Sequence, residues 1–147
     1  MENTISKYLR NTFLVHTIVS AILGLALFVS PGRVLVWLGW IREELEVTAP
    51  GTTVNLPGSF MVDPVMTRVL GAALLALAFA SFLGWRAKQR QEVSILVQLE
   101  LVFCVLALFA FLFRIVTPAI DPLPVIGWAL IIILLAFAVS WGLALRR

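Results

Sequence analysis

The residues with the most chemical potential in this chain are polar side chains set inside apolar runs. Glu100 falls inside the run 93–116, about seven residues from its start, or roughly 10 Å at 1.5 Å per residue. His16 lies about six residues inside the first helix, expected at about 11–30, and Ser140 about six residues from the end of the final run. If these runs cross a bilayer, the three side chains arrive at one depth. A carboxylate there costs several kcal/mol unless it is paired, protonated or wetted. Two chemistries fit. In one, Glu100 is the ionisable centre of a proton-titrating or ligand-binding site, with His16 as partner and Ser140 adding a hydrogen bond. In the other, the same groups form a buried polar clasp that fixes helix registry, with Glu100 neutral, paired to His16 or snorkelling toward Arg90. A Ser-His-Glu triad has no support, because the chain lacks a nucleophile elbow; no catalytic residue is assigned.

A second group is charged. Arg68 and Arg114 lie near the outer ends of the second and third runs, with Asp63 and Asp121 at the mouths of the second and fourth. Two guanidiniums can fork onto phosphate or carboxylate, which would make an anion or lipid-headgroup pocket. The alternative is a set of interfacial ion pairs, Arg68 with Asp63 or Asp121 for example, since long arginines near helix ends reach toward the interface. One histidine cannot supply both axial ligands of a haem, and no Cys/His cluster has metal-ligand spacing. No Walker lysine, phosphate-cradling glycine motif or HExxH occurs either, so neither cofactor nor metal is implied. The single cysteine, Cys104, excludes an internal disulfide and a CxxC pair, and its apolar setting reads as packing.

The elements that hold these groups follow from composition. Of 147 residues, 61% are hydrophobic and 13% charged, against about 45–50% and about 25% in soluble domains. A water-soluble fold cannot bury that much apolar surface. The expected fold is all-α: an integral membrane four-helix bundle, one transmembrane domain over 1–147, with helices at about 11–30, 64–85, 93–116 and 122–145. Asp63-Pro64 marks the second start, an N-cap carboxylate followed by proline at the first helical position. The first run is longer than a signal-peptide core and residues 28–30 lack the small-x-small cleavage pattern, so it reads as a retained span. Residues 31–63 form an outer cap. Within it, 34–41 is too short to cross and carries Trp37 and Trp40, which predicts a short interfacial helix. The Pro- and Gly-rich stretch 50–63 predicts irregular chain with room for a small hairpin.

Charge sets the direction. Lys7, Arg10, Arg86, Lys88, Arg90, Arg146 and Arg147 fall on one side, with Arg33, Arg42, Arg68 and Arg114 at or near the other. The positive-inside rule then predicts a multi-pass protein of the plasma membrane with both termini cytoplasmic. Tyr8, Trp85 and Trp141 fall at the inner boundary, Trp37, Trp40 and Trp128 near the outer one, as an aromatic belt would. The net charge of +3 flanks apolar runs rather than forming a patch, which suits anionic lipid and argues against nucleic acid as a partner.

Membrane helices associate through close approach at small residues, so small-residue rows should mark the interior. In the second helix the row is Ala72, Ala76, Ala80 and Gly84, below Arg68. The others are His16, Ser20 and Gly24 in the first helix, Glu100, Cys104, Ala107, Phe111 and Arg114 in the third, and Ala136, Ser140 and Ala144 in the fourth. In the second helix, Asp63-Pro64 followed by Arg68 and Gly71-Ala72-Ala73 resembles small four-helix bacterial membrane families of the DoxX-like kind. The likeness covers topology and one helix, and implies a bacterial inner membrane and an accessory or redox-associated role. The expected function is a non-enzymatic accessory or self-associating subunit of a membrane complex. Its partners are the lipid bilayer and either further copies of itself or a larger complex. Two alternatives are carried: a small oligomeric proton-coupled transporter or channel using Glu100, and a lipid-binding or lipid-modifying protein working at Arg68 and Arg114.

Overall fold

The computed structural model describes residues 4–57, 62–116 and 123–146, with the side chains of 45–49, 54–56 and 114 excluded. Helix α1 (Lys7–Val29) begins earlier than expected because the Ser6 hydroxyl accepts from Leu9 N–H at 3.2 Å and caps it. At its far end the Ser30 N–H still reaches Ala26 C=O, and Pro31 then opens the short helix α2 (Pro31–Trp37). Gly39 ends that turn at φ +71, against the Pro124 ring, where any Cβ would overlap proline carbons. Strands β1 (Glu44–Ala49) and β2 (Thr52–Pro57) pair antiparallel from Glu44↔Pro57 to Ala49↔Thr52. Pro50-Gly51 closes them with Gly51 at φ +90, the proline-then-glycine order a tight turn needs. The all-α expectation is therefore amended by a hairpin in the cap.

Helix α3 (Pro64–Arg86) starts as its sequence requires: the Asp63 carboxylate accepts from Val65 N–H at 2.8 Å and Pro64 occupies the first turn. Helix α4 (Arg90–Val116) begins before residue 93 because Glu92 Oε2 folds back to accept from the Lys88 and Gln89 N–H groups at 3.2 and 3.4 Å. Helix α5 (Val125–Arg146) ends against Arg90, whose guanidinium donates to Ala144 C=O at 2.9 Å, a cation on unsatisfied C-terminal carbonyls. Arg90 is thus occupied with α5 and does not serve Glu100. Four helices, α1, α3, α4 and α5, are long and apolar enough to span a membrane. Helices α1 and α4 run from the end bearing the termini toward the cap, and α3 and α5 return.

The long helices pack chiefly as two pairs, α1 with α3 and α4 with α5. The α1/α3 seam is a direct backbone approach at Gly24 and Gly71. A Cβ on Gly71 would lie 2.7 Å from Phe28 N and 2.8 Å from Gly24 O, and one on Gly24 would lie 2.9 Å from Gly71 O. The row Ala72, Ala76, Ala80 is not the interior face of α3: Ala72 and Ala76 are exposed and Ala80 half-buried. The buried residues are Thr67, Gly71, Leu74, Ala78, Ser81 and Gly84. Both rows are small, and the glycine decides between them because only it lets two backbones touch. On α5 the buried face is Gly127, Phe137, Trp141 and Ala144, while Ala136 is exposed and Ser140 half-buried. Trp141, expected at a boundary, is fully enclosed. Two apolar clusters result. One gathers Phe13, Val93, Val97, Cys104, Phe137 and Trp141 toward the termini; the other gathers Leu27, Val34, Leu35, Leu38 and Leu74 toward the cap.

Candidate functional site

Counting from the observed helix starts, Glu100 lies about 15 Å along α4 and His16 about 14 Å along α1 at 1.5 Å per residue, both from the termini end. Their side chains meet. Glu100 is fully buried, and its Oε2 faces His16 Nε2 at 3.3 Å, ion-pair distance without hydrogen-bond geometry. The second link runs through Ser81 of α3, whose hydroxyl donates to Glu100 Oε1 at 2.7 Å. With its proton committed there, Ser81 Oγ accepts from His16 Nδ1–H at 2.9 Å, which fixes a proton on that ring nitrogen. Ser20, one turn along α1, sits 3.2 Å from His16 Nε2.

One proton held by either Nε2 or Oε2 would leave the pair neutral. On nitrogen it gives imidazolium and carboxylate; on oxygen it gives two neutral groups. The net charge is zero in both cases, which is how a carboxyl can be buried without the large cost of an isolated ion. Aromatic rings close the remaining side. Phe137 meets the imidazole edge-on at 4.8 Å between centroids, Trp141 at 5.8 Å, and Phe13 packs on Trp141 at 4.9 Å. The cluster therefore draws on all four long helices: His16 and Ser20 from α1, Ser81 from α3, Glu100 from α4, Phe137 and Trp141 from α5. Trp141 Nε1 is buried with no hydrogen-bond partner among the described residues.

His16 and Glu100 thus come together at one depth, and Ser140 does not join them. It lines a shallow groove between α1 and α5 with Tyr8, Asn11 and Thr12, on the other side of Phe137. Ser81 takes the part that Ser140 was expected to play. Its depth in α3 matches the site, and it lies on the buried face with Gly71 and Ala78, away from the exposed Ala72 and Ala76. Of the outer charges, Asp63 is occupied in capping α3, Arg68 is exposed, and Asp121 and the Arg114 side chain lie outside the described residues. Among the described residues no three His, Cys, Asp or Glu side chains gather as a metal site would require.

Beside the cluster, on its cap side, lies a cavity of about 440 Å³. His16 and Ser20 form one end, and apolar side chains of all four long helices, with Leu38 and Trp40 of the cap, form the rest. Among the described residues no Lys, Arg, Asp or Glu lines it. No family model matches the chain, and no curated protein or solved structure matches it.

Proposed function

We propose that the chain is an integral protein of the plasma membrane with four spans, both termini cytoplasmic, acting as a non-enzymatic accessory or self-associating subunit in which His16, Ser81 and Glu100 lock the bundle. The observation that carries this reading is the complete enclosure of Glu100 against Ser81 and His16. A carboxyl held this way balances its charge inside the cluster and serves helix registry. The subunit role draws on α3, whose Ala72 and Ala76 are exposed although the helix already has a glycine seam inside. Small residues left on an outer face are what a further membrane helix packs against.

Placing cysteine at Ala76 in a Cys104→Ala background tests the assembly directly. Oxidation in native membranes is expected to give a crosslinked dimer or an adduct with another membrane protein. A chain that never crosslinks, and that purifies in mild detergent as a monomer without companions, overturns the subunit role.

Proton-coupled transport is the second reading, because a cavity reaches His16 from the cap side. Its apolar walls favour hydrocarbon over water, which ranks transport below the clasp. In proteoliposomes the transport reading requires pH-dependent flux that Glu100→Gln abolishes.

A further inference from the structure

The cavity beside the clasp has a shape and polarity that specify a ligand. From His16 to Leu27 its lining follows roughly 16 Å of α1, so it is long. Leu27, Leu38 and Leu74, all buried, form the inner wall, whereas Leu106 of α4 and Ile133 of α5 are 62% and 37% exposed. The lining therefore reaches the outer surface along the sides of the helices, where an apolar body can enter. The buried polarity lies at one end, at Ser20 and His16, both at least nine-tenths buried, while the far end carries only the indole of the 38% exposed Trp40. Among the described residues no charged side chain lines that end, so a phosphate or ammonium head has nothing to balance it there.

The proton positions in the clasp select among neutral heads. When His16 Nε2 carries no proton, Ser20 can donate to it and keeps lone pairs that want a donor. When Nε2 carries one, Ser20 accepts from Nε2–H and its own proton seeks an acceptor. A hydroxyl satisfies both states and a carbonyl only the second. We propose that this cavity binds a long-chain lipid alcohol from the bilayer, its hydroxyl at Ser20 and its hydrocarbon chain running toward Trp40. The proposal goes beyond the subunit reading and shares with it only the membrane setting, so a monomer that binds the alcohol would overturn the assembly and leave the site standing.

The test uses the full chain in detergent with a hexadecanol carrying a diazirine on its chain. Photolysis should label cavity residues such as Leu23 or Leu134, and Ala107→Phe, which fills the lining, should remove the label. Unlabelled hexadecanol should compete about three- to tenfold better than hexadecane, the margin of one hydrogen bond. Ser20→Ala should erase that margin while hydrocarbon competition persists, and Ser20→Thr should restore it. Absence of label from the lining overturns the site. Equal competition by hexadecane, by the matching ketone or by the acyl chains of phosphatidylglycerol overturns the alcohol.

Discussion

The four long helices are joined by two kinds of seam. Between α1 and α3, Gly24 and Gly71 bring backbones into contact, with no side chain and no proton involved. Between that pair and α4/α5, contact is thinner, and the junction is made by the His16–Ser81–Glu100 cluster boxed by Phe137 and Trp141. The first seam is limited by size alone and tolerates any surroundings. The second depends on the donors and acceptors matched at Ser81, since a polar group whose partner is removed is left buried and unpaired. A steric seam holds the pair; a chemical one sets how the pairs meet, and beyond it toward the cap the pairs part around a cavity.

The contrast is broken most severely at the steric seam. Gly71→Val places carbon against Phe28 N and Gly24 O, backbone atoms that cannot yield without separating the helices. The expected loss is about 3 kcal/mol or failure to assemble, read from unfolding in graded SDS. Glu100→Ala comes next, at about 2 kcal/mol, because it opens a cavity and strands both Ser81 and His16. Ser81→Ala removes a single bridging hydroxyl and should lower stability by about 1 kcal/mol in the same assay. Ser140→Ala is the control, expected within about 0.5 kcal/mol of the native chain. A Ser140 effect as large as that of Ser81 would return Ser140 to the junction and undo the assignment.

Much of this arrangement was legible in the residues, for identifiable reasons. Apolar run length marked the four long helices, and Asp63-Pro64 marked the start of α3, because a cap is local chemistry. The pairing of His16 with Glu100 was readable from depth, which follows from counting along two helices. Azimuth was not readable. Depth alone could not separate Ser81 from Ser140, and small size alone could not separate the Ala72 row from the Gly71 row, about 100° or more away around the helix. Trp141 was misplaced for a related reason: a tryptophan near a helix end looks like a belt residue until its neighbours Phe13 and His16 are seen. The hairpin turn was written in Pro50-Gly51. The cavity was invisible, being a property of how pairs of helices diverge.

The most direct test of the chemical seam is a double-mutant cycle between His16→Phe and Glu100→Leu, measured as unfolding free energy in SDS. The junction described here predicts that the two changes are strongly non-additive, the double variant recovering about 1 kcal/mol or more of the summed losses, because each single change strands a polar group that the pair of changes removes together. Losses that add to within about 0.5 kcal/mol would mean that His16 and Glu100 act independently, and the clasp would not exist.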